Sequence, residues 1–193
     1  MNYLDLITAG LGLAYILLEY RASIWMWVVG FVMQALGIIL YYQKGLYADC
    51  AMEFYYISMT VYGFWKWKNH HTPHAAGEGG ETSITHIPLR LALLWTLIAL
   101  TLWLAIYLLL VTLTDSSVPI ADAFTTALSL VGIWTLAHKY LEQWFVWIAV
   151  DIVTAGLSFY KDIPFKASLY ALYVIIAFFG YRKWKRMMRE QAN

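Results

Sequence analysis

Charge is what this sequence has least of. Only 13% of its 193 residues are Asp, Glu, Lys or Arg, and 62% are apolar; a soluble domain carries roughly 25% charged residues. A water-soluble fold of this size would have to expose large apolar patches, so lipid is the solvent that suits the chain. A net charge of +1 excludes the concentrated basic footprint that nucleic acid demands. One cysteine, Cys50, leaves no intrachain disulfide and no disulfide scaffold. The glycine-rich phosphate loop, G-x-S-x-G and H-E-x-x-H are all missing, so neither a catalytic residue nor a cofactor site is expected. His70, His71, His74 and His86 fall in one glycine-rich stretch with no cysteine or second ligand set, and no metal site is expected there. No lysine or arginine precedes Arg21. Without a basic n-region and cleavage site, the first apolar stretch is expected to stay in the membrane.

Long apolar runs are what the chain has in abundance. A hydrocarbon core of ~30 Å takes about 20 apolar residues per helix, and seven stretches qualify: Tyr3–Leu18, Ile24–Tyr42, Leu46–Trp67, Leu89–Leu113, Ile120–His138, Leu141–Tyr160 and Pro164–Trp184. Residues 68–88 hold glycines, two prolines and four of the five histidines, and predict a solvated cytoplasmic loop. With seven spans and the C-terminus inside, ten lysines and arginines lie on the inner side. Only Lys44, Lys161 and Lys166 lie outside. That bias predicts N-out, C-in.

Shifting the sequence by 117 residues lays Thr8 on Thr125, Ile16 on Ile133, Trp27 on Trp144, Lys44 on Lys161, Gly63 on Gly180, Trp67 on Trp184 and Lys68 on Lys185. In the same register Gln34 falls on Asp151. The expectation is an all-α membrane protein of 3+1+3 design, with parallel repeats like those of SWEET sugar carriers. Residues 1–67 form the first three-helix repeat and 119–186 the second. Residues 89–113 form a leucine-rich connecting helix facing membrane lipid, and 187–193 a basic tail. A pathway is expected between the two bundles.

Ionisable groups at bilayer depth cost roughly 2.5–3.5 kcal/mol each on insertion scales, so they usually face a polar interior. Asp151 lies midway along the sixth stretch. Glu53 lies two turns into the third, with Asp49 a turn earlier on the same face. No lysine or arginine is expected at either depth. A cationic ligand or a proton would complete such a pair; a protonated carboxyl bonded to a neighbouring helix is the structural alternative. Trp144 and Trp147 share a face with Asp151, and two indoles beside a carboxylate can stack on a flat cation, for roughly 0.5–2 kcal/mol each. Gln34, at matching depth, can donate and accept. Tyr55, Tyr56, Tyr62, Tyr170 and Tyr173 offer rings and hydroxyls, while Trp25, Trp65, Trp67 and Trp184 are expected as interfacial anchors.

The run Trp144-x-x-Trp147-x-x-x-Asp151, then Tyr160-Lys161 and Gly180-Tyr181-Arg182-Lys183-Trp184, resembles the Pnu family of bacterial vitamin transporters. The first repeat agrees through Gly45-Leu46-Tyr47-Ala48 and Tyr62-Gly63-Phe64-Trp65-Lys66-Trp67. The resemblance implies a homotrimer in the bacterial inner membrane that moves a vitamin by facilitated diffusion, with phosphorylation trapping it inside. In the nicotinamide riboside type, helix six carries W-x-x-W, as here. Its helix seven carries N-x-x-Y, where this chain reads Tyr170-Ala171-Leu172-Tyr173, and Gln and Asn stand where Glu53 and Asp151 stand. Leu18-Glu19-Tyr20-Arg21-Ala22-Ser23 and Leu46-Tyr47-Ala48-Asp49 resemble the thiamine (PnuT) branch. The resemblance therefore implies thiamine, with nicotinamide riboside as the alternative. Gln34, Glu53, Trp144, Trp147, Asp151, Tyr170 and Tyr173 are the expected substrate-binding residues.

Overall fold

The structure, a computed structural model, describes residues 3–43, 47–69, 83–114 and 116–191, with the side chains of residues 3–6, 8 and 47–49 also outside the description. Lys44, Gly45, Leu46, His70, His71 and His74, and the Asp49 side chain, thus lie outside the described residues. Among the described residues seven helices follow one another: α1 (Tyr3–Tyr20), α2 (Trp25–Gln43), α3 (Tyr47–Asn69), α4 (Leu89–Leu113), α5 (Pro119–Ala137), α6 (Gln143–Tyr160) and α7 (Pro164–Gln191). Among the described residues there is no sheet, only an isolated bridge between Thr85 and Tyr140. α2, α4, α5, α6 and α7 are long and apolar enough to cross a membrane, and α1 adds a shorter apolar stretch, Ala9–Tyr20. α3 is more polar because Asp49, Glu53, Lys66 and Lys68 share its 23 residues. Pro119 and Pro164 open their helices, where the missing amide hydrogen has no helical acceptor anyway.

α7 outruns its expected end. It continues seven residues past Trp184 to Gln191, so most of the expected tail, 187–193, is helical. No glycine or proline falls between Trp184 and Gln191, and Arg186 and Glu190 lie 3.6 Å apart one turn from each other.

The chain divides into two compact units. The first comprises Met1–Ile84, Leu136–Lys139 and Lys183–Asn193; the second comprises Thr85–Thr135 and Tyr140–Arg182.

The expected repeat reappears in the helix ends. Ala22 and Lys139, 117 residues apart, both adopt left-handed backbone, with φ of 51° and 52°. At α1 the Ala22 amide donates to the Glu19 carbonyl (2.8 Å) and the Ser23 amide to that of Leu18 (2.9 Å). At α5 the Lys139 amide donates to Leu136 (2.9 Å) and the Tyr140 amide to Thr135 (3.1 Å). α6 ends the same way at Asp162, φ 54°, with Asp162 donating to Phe159 and Ile163 to Ser158. These are Schellman motifs, which satisfy the last-turn carbonyls and usually place glycine in the left-handed position. The residue that the shift lays on Asp162 is a glycine, Gly45.

Two expected interfacial anchors prove to be buried. Trp25 and Trp65 are 65% and 56% exposed, whereas Trp67 and Trp184 are 3% and 0% exposed. Within the first unit, the Trp67 indole N–H donates to the Ala137 carbonyl (3.2 Å) and that of Trp184 to the Glu19 carbonyl (2.9 Å). The physical reason is mutual need. A buried indole N–H requires an acceptor, and the last-turn carbonyls of a helix lack helical donors. The two rings lie 6.3 Å apart, and the Lys139 ammonium sits 4.2 Å from the Trp67 ring centre.

The end of the expected solvated loop is likewise anchored. Ile84 is buried and its amide donates to Gln191 Oε1 at 3.0 Å. The Ile87 amide donates to Glu142 Oε2 at 3.0 Å, and His86 Nδ1 lies 2.6 Å from Glu142 Oε1. Backbone donors in a packed segment need partners, and this carboxylate supplies one of them. α4 itself buries no residue; Leu93, Leu97, Leu100, Leu104 and Leu108 are all more than half exposed.

Candidate functional site

Residues spaced by three, four and seven return to one side of a helix. One face of α2 carries Trp27, Gly30, Gln34 and Gly37, and one face of α3 carries Glu53, Tyr56, Thr60, Gly63 and Trp67. These faces pair in the first unit. Gly63 receives the Trp27 ring so closely that a β-carbon there would stand 2.4 Å from Cη2 and Cζ2. The Thr60 hydroxyl donates to Gln34 Oε1 at 2.9 Å. Glu53 lays its carboxyl against Gly37, where a β-carbon would meet Cδ and Oε1 at 2.9 Å. Tyr15 of α1 covers Gly30.

The second unit repeats the scaffold with different chemistry. α6 carries Trp144, Trp147, Asp151 and Thr154 on one face, and α7 carries Tyr170, Tyr173, Ala177 and Gly180. Trp144 seats on Gly180 as Trp27 does on Gly63, with a β-carbon reaching 2.5 Å from Cη2. Trp147 lies over Gly132 of α5. The 117-residue shift turns Tyr15 over Gly30 into Gly132 under Trp147, so ring and gap exchange helices while the contact survives. The same shift relates Gln34 to Asp151, Glu53 to Tyr170 and Tyr56 to Tyr173.

Asp151 is 6% exposed, and among the described residues its carboxylate has no hydrogen-bond or salt-bridge partner. On α7 the Tyr173 ring meets that of Tyr170 edge to face at 5.4 Å. The Trp147 indole N–H is buried and also lacks a partner among the described residues. An uncompensated buried charge costs several kcal/mol, and a buried donor left unpaired costs about 1–3 kcal/mol. Both are groups that a bound cation with hydrogen-bond acceptors would satisfy.

The expected residues thus separate by role. Gln34 and Glu53 are brought onto the paired faces of α2 and α3; Trp147, Asp151, Tyr170 and Tyr173 stand on α6 and α7 of the second unit. Trp144 differs from expectation. It is 0% exposed and fills the gap above Gly180, so in this conformation it has no surface left to stack on a ligand. Tyr56, expected to offer a ring and a hydroxyl, lies on the same α3 face; Thr60 and Gly37 belong to these faces too and are not singled out by the sequence, although their helical spacing from Gln34 and Glu53 points to them.

The chain matches the family model described as Nicotinamide mononucleotide transporter over residues 2–186. The nicotinamide riboside transporter PnuC of Escherichia coli is 22% identical, the match covering 100% of this chain and 89% of that protein. The riboflavin/roseoflavin transporter RibM of Streptomyces davaonensis is 26% identical, over 98% of this chain and 87% of its own length. PnuC of Neisseria mucosa is 23% identical and covered to 75%. The solved "Crystal structure of the Vitamin B3 transporter PnuC" shares the fold with a TM-score of 0.74 at 22% identity, over 96% of this chain and 81% of that one. None of these relatives is named for thiamine. Matched over residues 2–186, and with seven helices among the described residues, the chain belongs to the nicotinamide mononucleotide transporter family and is a multi-pass membrane transporter, not an enzyme.

Proposed function

We propose that the chain carries nicotinamide riboside across the bacterial inner membrane by facilitated diffusion, with phosphorylation inside the cell holding the product. The observation that carries this reading is Asp151, a buried carboxylate with no protein cation beside it among the described residues. Nicotinamide riboside supplies a pyridinium charge for that carboxylate, and its carboxamide and ribose oxygens supply acceptors for the Trp147 N–H. Tyr170 and Tyr173 offer ring edges and hydroxyls to the flat heterocycle in the second unit; taken by itself, the first unit offers the substrate the Gln34 amide and the Glu53 carboxylate. Full-length similarity to carriers named for nicotinamide riboside supports this substrate over thiamine.

Thiamine is kept as the second reading because it too is a flat cation, and because Glu53, Asp151 and Tyr170 are the acidic and aromatic departures expected for it. Riboflavin has no fixed charge to satisfy the Asp151 carboxylate. The basic chain end faces the cytoplasm in this reading, the leucine face of α4 meets lipid, and the assembly is a homotrimer.

The test is calorimetric titration of the detergent-purified protein with nicotinamide riboside, thiamine and riboflavin. The expected order puts nicotinamide riboside at least tenfold tighter than either. Tighter thiamine binding transfers the assignment to thiamine, and binding of riboflavin alone removes the role given to Asp151. Uptake into proteoliposomes is expected to survive a protonophore; its loss would mean proton coupling. Light scattering is expected to give three copies of the 22.2 kDa chain.

A further inference from the structure

Gly37 sits well inside α2, where glycine weakens a helix, and its backbone angles are ordinary. A glycine there needs a packing reason. Gly30, Gly63, Gly132 and Gly180 each make room for an aromatic ring, and Gly10 and Gly156 face open space. Gly37 makes room for a carboxyl group. A β-carbon at this position would stand 2.9 Å from Glu53 Cδ and Oε1 and 3.2 Å from Cγ, inside the ~3.5–4.0 Å of an ordinary carbon contact. In the second repeat the shift replaces Glu53 by Tyr170 and Gly37 by Thr154, so where no carboxylate needs seating, the position carries a side chain.

We propose that Gly37 is a positioning residue: its missing side chain seats the Glu53 carboxylate against α2, three residues from Gln34, and so fixes where negative charge meets the substrate's cationic ring. This inference rests on Glu53 being a substrate residue, as proposed above. The carboxyl is the far end of a flexible side chain. An added methyl group therefore displaces the charge and leaves the two helices in place.

The experiment compares Gly37→Ala, Glu53→Gln and the double variant by calorimetry with two probes: cationic nicotinamide riboside and its neutral dihydropyridine form. Each single variant is expected to bind the cation about tenfold more weakly, a change of about 1.4 kcal/mol. The double variant should add less than twofold to Glu53→Gln, because the charge that Gly37 positions is already gone. Affinity for the neutral probe should change less than twofold in Gly37→Ala, and its melting temperature should stay near that of the parent. If Glu53→Gln binds like the parent, the substrate role of Glu53 fails. If Glu53→Gln weakens binding but Gly37→Ala does not, or weakens both probes equally, or adds its full effect to Glu53→Gln, the positioning role fails and Gly37 only permits packing. Failure of Gly37→Ala to fold overturns the proposal too, since a displaced carboxylate would leave the helices intact.

Discussion

Replacing a helix-interior glycine by alanine normally helps a helix, by about 1 kcal/mol; at Gly63 and Gly180 the structure predicts the opposite sign. The new β-carbon would stand 2.4 Å from Trp27 Cη2 in one repeat and 2.5 Å from Trp144 Cη2 in the other. Ordinary carbon contacts lie at ~3.5–4.0 Å, so each substitution drives about 1 Å of overlap into a ring that is at most 1% exposed. Overpacking of this kind costs about 1–3 kcal/mol, and with rings this enclosed the upper end applies. Subtracting the helix gain leaves a net loss of about 2 kcal/mol. For a chain of this size that corresponds to a melting temperature lower by roughly 4–8 °C. Gly10→Ala and Gly156→Ala are the controls, since nothing lies within 4 Å of either added carbon; they should be neutral or stabilising. The assay is thermal unfolding in one detergent at one scan rate, because unfolding of such proteins is read as a rate-dependent temperature. Trp144→Phe in the Gly180→Ala background removes the offending ring edge and should recover part of the loss. If Gly63→Ala and Gly180→Ala melt with or above Gly156→Ala, the seating of the two tryptophans is refuted.

Asp151→Asn keeps the shape and removes the charge, so binding of cationic nicotinamide riboside should weaken at least tenfold, about 1.4 kcal/mol; unchanged affinity by calorimetry takes Asp151 out of the site. Trp67→Phe and Trp184→Phe each take the indole donor from a helix-end carbonyl, Ala137 or Glu19. Each should lower stability by about 1–2 kcal/mol. Trp25→Phe, at an exposed position, should leave the melting temperature unchanged.

The helices were legible because hydropathy and length are local properties. α4 runs from Leu89 to Leu113, as its apolar run predicts, and α7 exceeds its predicted end only where polar residues conceal a continuing helix. Trp27 and Trp144, Gly63 and Gly180 were legible as equivalents, and the structure shows why: each tryptophan needs its glycine. The candidate site was legible only in part. Gln34 and Asp151 betray themselves as polar groups in apolar helices. Gly37 and Thr60 do not, because a glycine or threonine in a membrane helix is ordinary until its neighbour is known. Trp67 and Trp184 were misplaced for the same reason: beside Lys66 and Lys185, their sequence context matches that of an interfacial ring.

By itself, the sequence determined that this chain lives in lipid, that it spans repeatedly, that its two ends are copies of one three-helix plan, and that acidic groups lie inside those helices. Composition and periodicity suffice for such conclusions because the cost of moving charge or backbone into hydrocarbon is paid residue by residue. Only the tertiary structure decided which indoles are buried wedges and which face outward, which glycine holds a ring and which a carboxylate, and that Asp151 has no protein cation among the described residues. Those facts depend on what the neighbouring helix brings to the same face, and no periodicity within one helix contains that information.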